Sequence, residues 1–135
     1  MNRLSPVWRA KATAAALVFP PLLHAVSLAS LTRWIERRSA RTTPDTGADE
    51  ASLAEWVDRL LRRLPEPWRR SCLKRAIVLY YLLRRVGRPA ELRIGVRRDP
   101  EGKLAAHAWL VRNGVPILEE GADHVDAYQV LTDFP

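Results

Sequence analysis

Apolar residues recur at helical spacing in the segment that follows Ser71 and ends before Gly87. This spacing produces one apolar stripe and predicts an amphipathic helix. Serine is a preferred N-cap residue, and glycine is typical of the position after a helix, so the sequence marks both ends. Cys72 therefore lies in the first helical turn. The residues of the stripe are Cys72, Ala76, Leu79, Leu83 and Val86.

Residues 12–32 carry no formal charge and are mostly small or apolar. Pro20 and Pro21 interrupt this stretch, and proline breaks a helix. The pattern therefore predicts two short helices, about Pro6–Phe19 and Leu22–Arg38. We expect their apolar faces to pack on the rest of the domain, and contact with a membrane surface is the alternative.

The segment from Ser39 to Asp49 is polar and contains one proline and one glycine, which is typical of a linker. Ser52 and Glu55 then form a capping-box pattern. Apolar residues continue at helical spacing until Pro65, which predicts an amphipathic helix that begins at Ser52.

After Gly87 the apolar residues alternate with polar or small ones, as they do in half-buried strands. Asn113 and Gly114 form the strongest hairpin signal in the chain, and Pro116 suggests an edge strand or a bulge. Helices followed by an antiparallel sheet predict an α+β domain. The predicted strands are Ala90–Arg97, Leu104–Arg112, Val115–Leu118 and Ala127–Leu131.

The length of 135 residues suits one domain. One cysteine excludes an intramolecular disulfide and a multi-cysteine zinc site, and it fits a reducing cytoplasm. The net charge of +7 suits an acidic partner, but no helix-turn-helix signature, zinc spacing or RNA-binding motif accompanies it. The sequence also lacks a phosphate-binding glycine loop. We therefore expect no cofactor, no metal and no nucleic-acid partner.

Cys72 and His107 are the candidate reactive pair. A thiol in the first turn of a helix faces unpaired N–H groups and the positive end of the helix dipole, which favour the thiolate. His107 lies within the second predicted strand among small residues, which leave room for another element to approach. An imidazole there can take the thiol proton and later protonate a leaving amine. The plainer alternative is a buried structural cysteine.

A carboxylate is expected near His107. A two-residue turn in the predicted hairpin pairs Arg112 with Val115, and this register brings position 107 opposite about position 120. Glu119 or its neighbour is then the nearest carboxylate, with Asp123 just beyond. A third polar group of this kind would fix the tautomer and orientation of the imidazole. The alternative is a solvated pair of charges at the end of a strand.

The stretch from Cys72 to Glu119 resembles the transglutaminase-like cysteine peptidases. The motifs that carry the resemblance are C-L-K-R-A, then L-L-R-R-V-G-R-P-A-E-L-R-I-G-V, and then A-H-A-W. More narrowly, the stretch is similar to the B2 maturation proteases of lasso-peptide biosynthesis. The resemblance covers roughly the C-terminal half of the chain. It implies a papain-like core at residues 49–135, in which a cysteine-bearing helix packs on a small antiparallel sheet, with residues 1–48 as a helical extension and linker.

By this resemblance, Cys72 is the nucleophile and His107 the base. Glu119 falls at about the spacing of the family's acid, where aspartate is the common choice. Because glutamate differs from this common choice, the role of the acid stays open between Glu119 and Asp123, with Glu119 preferred. The reaction implied is removal of the leader peptide from a ribosomally made precursor through a thioester.

The resemblance also implies partners: the precursor peptide, a separate leader-recognition protein of the B1 type and an ATP-using cyclase. Two alternatives stay open. One keeps the triad but transfers the acyl group to an amine, since the pocket and not the fold decides the acceptor. The other is a basic adaptor without enzymatic activity that binds an acidic partner or a membrane surface.

Overall fold

The computed structural model describes residues 4–39, 49–66, 68, 71–118 and 128–134. In these ranges the chain forms four helices followed by a four-stranded antiparallel sheet, which confirms the predicted α+β class. The elements are α1 (Pro6–Ala25), α2 (Leu28–Ser39), α3 (Glu50–Arg63), α4 (Cys72–Val86), β1 (Glu91–Arg98), β2 (Leu104–Arg112), β3 (Val115–Ile117) and β4 (Gln129–Phe134).

Helix α1 continues through Pro20 and Pro21 and ends before Val26, so the break predicted at the two prolines is wrong. A proline lacks the N–H that would bond the carbonyl four residues earlier, and Pro21 therefore leaves the Leu17 carbonyl without a helical donor. The indole Nε1 of Trp68 donates to that carbonyl oxygen at 2.7 Å. A tertiary hydrogen bond thus replaces the helical one that the proline removes.

Helices α1 and α2 share one hydrophobic core with α3 and α4, which confirms that their apolar faces pack on the domain. Ala12 and Ile35 are fully buried in this core. Among the described residues, none of the helices combines the length and the apolar character that crossing a membrane requires. The division into residues 1–48 and 49–135 stays a prediction, and so does contact with a membrane surface.

The N-cap of α3 lies three residues earlier than the capping box predicted. Asp49 is the N-cap, and its carboxylate accepts from the backbone N–H of Ser52 at 3.1 Å and from the Ser52 hydroxyl at 3.0 Å. Glu50, in the first turn, forms an ion pair with Arg112 on β2. This long-range pair fixes the added turn, and the local sequence pattern does not contain it. The helix ends shortly before Pro65, as predicted.

Both predicted ends of α4 are confirmed. The Ser71 hydroxyl accepts from the backbone N–H of Lys74 at 3.2 Å, which makes Ser71 the N-cap. Gly87 follows the helix with φ +85°, a left-handed conformation that glycine adopts without the steric cost of a Cβ. Cys72 is therefore the first residue of the helix.

The sheet has the strand order β3-β2-β1-β4, and β3 is an edge strand, as Pro116 suggested. Asn113 and Gly114 both have positive φ, the conformation of a two-residue hairpin turn. The predicted pairing of Arg112 with Val115 is confirmed. Strand β4 ends at Phe134, later than predicted, because it pairs along β1 as far as Leu92.

The two faces of the sheet have different neighbours. On β2, Ala108 and Leu110 belong to the main core with α4. Trp109 and Val111 form a second cluster, against which Tyr128 packs. Since side chains alternate along a strand, this division assigns each residue of β2 to one face.

Candidate active site

Cys72 lies at the N-terminal end of α4, half-buried against the main core. The first N–H groups of a helix have no carbonyl partner within it, so this end presents backbone donors. The Lys74 side chain forms an ion pair with Glu66 at 3.1 Å, which directs its charge to the segment before the helix. Arg69 and Arg70, which add positive charge near the thiol in sequence, lie outside the described residues.

His107 lies on β2 opposite Gly95 of β1. Its ring stacks on Trp109, with a centroid distance of 5.6 Å and an interplanar angle of 16°, and it lies 5.3 Å from the ring of Tyr128. A Cβ at Gly95 would lie 2.8 Å from Cη2 of Trp109. The glycine therefore gives the indole the space that it occupies beside the imidazole.

Strand alternation puts His107 on the same face as Trp109. Helix α4 packs on the other face, where Ala108 and Leu110 contact the main core that also includes Cys72. The described ring contacts of His107 thus lie across the sheet from α4. The pairing of Cys72 with His107 stays a prediction, and it requires the imidazole to reach past this strand.

The direction of α4 along the strands follows from two hydrogen bonds near its ends. In the first turn of α4, Arg75 donates to the carbonyl oxygen of Leu118, next to β3. Beyond the other end of α4, the Pro89 carbonyl accepts from Arg112, the last residue of β2. Helix α4 therefore runs along β2 with Cys72 towards the half that carries the candidate base.

The candidate acids Glu119 and Asp123 lie outside the described residues. The last described residue before them is Leu118, which has φ +55°. The confirmed hairpin register pairs Ile117 with Leu110, three residues from His107. The assignment of Glu119 as the third residue stays a prediction.

A buried ion pair lies next to these residues, and the sequence analysis missed it. Nε of Arg75 lies 2.7 Å from Oδ1 of Asp58 on α3, and both residues are buried. The available signal was the position of Asp58 on the apolar face of α3, between Ala54 and Leu61 at helical spacing. A charged residue on such a face needs a partner, because an unpaired buried charge is costly.

An open groove of about 600 Å³ runs beside this ion pair. Asp58 and Leu118, which both contact Arg75, line it together with arginines of α3. No group of histidine, cysteine, aspartate and glutamate side chains in the described part of the chain is arranged to hold a metal ion. The groove thus lies between α3 and the end of β3.

A cysteine at the start of a helix that packs on a small antiparallel sheet is the arrangement of a transglutaminase-like core. The family model for the transglutaminase-like superfamily matches residues 14–133. The chain therefore belongs to the transglutaminase-like superfamily. Comparison with curated proteins and with solved structures found no match.

Proposed function

We propose that the protein is a cysteine peptidase that removes the leader from the precursor of a lasso peptide. The observation that carries the proposal is the position of Cys72 at the N-terminal end of α4, in a chain of the transglutaminase-like superfamily. The motifs shared with B2 maturation proteases support the narrower substrate class. Glu119 is proposed as the third residue because it falls at about the spacing of the family's acid.

The proposed reaction begins with the attack of the Cys72 thiolate on the scissile carbonyl. A bond forms between Sγ and the carbonyl carbon, the C–N bond breaks, and the His107 imidazolium protonates the departing amine. Water then attacks the thioester and gives its proton to His107, which releases the leader as a carboxylate and restores the thiolate. Glu119 orients the imidazole, and backbone N–H groups of the first turn of α4 stabilise the oxyanion.

This chemistry requires Sγ of Cys72 and a ring nitrogen of His107 within hydrogen-bond reach. Catalytic hydrogen bonds in enzymes are often long in the free protein and shorten in the substrate complex. His107 contacts Trp109 and Tyr128 on the sheet face opposite α4, so the proposal includes a rearrangement that brings the imidazole past its strand towards Cys72. The same proposal assigns the protein to the cytoplasm, with a B1-type leader-recognition protein and an ATP-using cyclase as partners.

The experiment is mass spectrometry of a precursor peptide incubated with the protein and its leader-recognition partner. Wild type is compared with Cys72→Ala, His107→Ala and Glu119→Gln. His24→Ala is the matched histidine control, because His24 is exposed at the end of α1. Cleavage at one bond by wild type and His24→Ala, with loss in Cys72→Ala and His107→Ala, supports the proposal. Equal cleavage by Cys72→Ala contradicts it.

Acyl transfer is the second candidate, since the superfamily match does not distinguish the group that accepts the acyl chain. The same thioester would react with an amine in place of water. Adding a primary amine to the incubation separates the two reactions, because the amide and carboxylic acid products differ in mass. A product that carries the amine even at low amine concentration would favour the transferase.

A further inference from the structure

Arg75 and Asp58 form a buried ion pair between α4 and α3. Nε of Arg75 lies 2.7 Å from Oδ1 of Asp58, and the two residues are 9% and 8% exposed. Charges buried to this degree lose much of their hydration, and apolar residues of similar volume often stabilise a protein equally well. Stability alone therefore does not explain why the pair is present. A second hydrogen bond of Arg75 suggests another role.

That other group is the backbone at the end of β3. Nη2 of Arg75 donates to the carbonyl oxygen of Leu118 at 2.5 Å. Leu118 has φ +55°, a left-handed conformation that a residue with a Cβ keeps only where its surroundings fix it. The guanidinium presents its donors in a rigid plane, so one group bridges the Asp58 carboxylate and the Leu118 carbonyl.

The bridge involves residues that are close in sequence to the candidate nucleophile and to the candidate acid. Arg75 follows Cys72 by three residues and so lies within one helical turn of it. Leu118 follows the strand that pairs with the His107 strand, and it directly precedes Glu119. One side chain thus connects the helix that carries the candidate nucleophile to the point where the chain leaves β3.

We propose that Arg75, oriented by Asp58, is a positioning residue that fixes the end of β3 against the first turn of α4. The inference rests on the proposed function for the roles of Cys72, His107 and Glu119. Arg75 acts through the backbone of Leu118, the residue that directly precedes the candidate acid in the sequence. Asp58 acts through Arg75, because it holds the guanidinium in the plane that reaches Leu118.

The test measures alkylation of Cys72 by iodoacetamide on the full chain and needs no peptide substrate. Cys72 is the one cysteine of the chain, so the signal belongs to it. The thiolate is the reactive form, and the ratio of the rates at about pH 6 and about pH 9 reports how well the surroundings maintain it at low pH. A purely structural role would change stability and leave this ratio unaltered.

Arg75→Lys keeps a positive charge beside Asp58 but loses the planar fork, so we expect it to fold and to lower the ratio by about tenfold. Asp58→Asn is the second variant. Loss of its negative charge alone would raise the ratio, so a ratio that falls as in Arg75→Lys reports the lost orientation of the guanidinium. Arg93→Lys is the matched control, since Nε of Arg93 lies 2.6 Å from Oδ1 of Asp133 in a more exposed pair. The control is expected to keep the wild-type ratio.

A wild-type ratio in folded Arg75→Lys and Asp58→Asn would overturn the proposal, and circular dichroism establishes that both are folded. If the wild-type protein itself gives the ratio of a cysteine in a short peptide, the proposal is overturned as well. The proposed substrate is tested separately by precursor cleavage. If the variants lower the ratio and wild type does not cleave the precursor, the positioning role stands and the leader-peptidase function fails.

Discussion

The indole of Trp68 donates a hydrogen bond to the carbonyl oxygen of Leu17 at 2.7 Å. This carbonyl lacks its helical donor because Pro21, four residues later, has no N–H. The bond connects α1 to the segment between α3 and α4, three residues before Ser71 caps the helix of Cys72. This bond therefore connects the proline-containing part of α1 to the segment that leads into the helix of Cys72.

Replacing Trp68 by phenylalanine removes this donor and keeps an aromatic ring. We expect Trp68→Phe to lower the free energy of unfolding by about 0.5–1.5 kcal/mol, the usual net contribution of one hydrogen bond. Urea denaturation followed by circular dichroism measures the change. If Trp68→Phe causes the same loss with proline and with another residue at position 21, the explanation is contradicted.

The Pro21→Ala background provides that comparison. Alanine at position 21 restores a backbone N–H that can bond the Leu17 carbonyl within the helix. In this background, Trp68→Phe should cost less than in wild type by roughly 1 kcal/mol. The four proteins form a double-mutant cycle, and a coupling energy near zero would show that the two groups act independently.

The features that were predicted correctly depend on local chemistry. Ser71 and Gly87 mark the ends of α4 because an N-cap hydroxyl and a left-handed glycine act within one turn of the helix. Asn113 and Gly114 set the hairpin register because the turn itself determines which residues pair. The position of Cys72 at the start of its helix followed from the same local signals.

The features that were missed depend on contacts between distant segments. Trp68 is needed to explain why α1 continues through Pro21, and Arg112 contributes to the early start of α3. The sequence also could not predict whether His107 faces α4, because side-chain alternation defines the two faces of a sheet but not which of them α4 covers. The Arg75 bridge to Leu118 spans 43 residues of sequence, so no local pattern contains it.

The N-cap of α3 can be tested by comparing two substitutions. Asp49→Ala removes the carboxylate that accepts from the backbone N–H of Ser52, and we expect it to lower the free energy of unfolding by about 1 kcal/mol. Ser52→Ala keeps that N–H and loses only the hydroxyl, so it should cost less. Urea denaturation measures both. A larger loss in Ser52→Ala would favour the capping box that the sequence predicted.

Tyr80 makes the stability of the protein depend on pH in the alkaline range. Burial raises the pKa of its hydroxyl above the usual value, and Arg84 offsets part of the increase. Above about pH 10 the unfolded chain loses this proton while the folded chain keeps it, so the free energy of unfolding falls as pH rises. Tyr80→Phe should show a shallower fall, measured by urea denaturation between about pH 8 and pH 11. Parallel curves for the two proteins would contradict the prediction.

Gly95 controls the space beside the candidate base. In Gly95→Ala the new Cβ would lie 2.8 Å from Cη2 of Trp109 and 2.9 Å from the carbonyl oxygen of Gln129, so both the indole and the backbone of β4 must move relative to β1. We expect a loss of about 1–3 kcal/mol in unfolding free energy. Precursor cleavage should also decrease, because His107 stacks on Trp109.

Gly102→Ala is the control for Gly95→Ala, since its Cβ would meet no atom within 4 Å and its φ of +84° is the one source of strain. It should lose about 1 kcal/mol of stability and keep wild-type cleavage, because a left-handed alanine is strained by about that amount. Urea denaturation and precursor cleavage are measured on both variants. Equal stability losses with wild-type cleavage in both would show that the Trp109 ring does not support His107. A selective loss of cleavage in Gly95→Ala would instead connect the packing of this sheet face to the chemistry of the site.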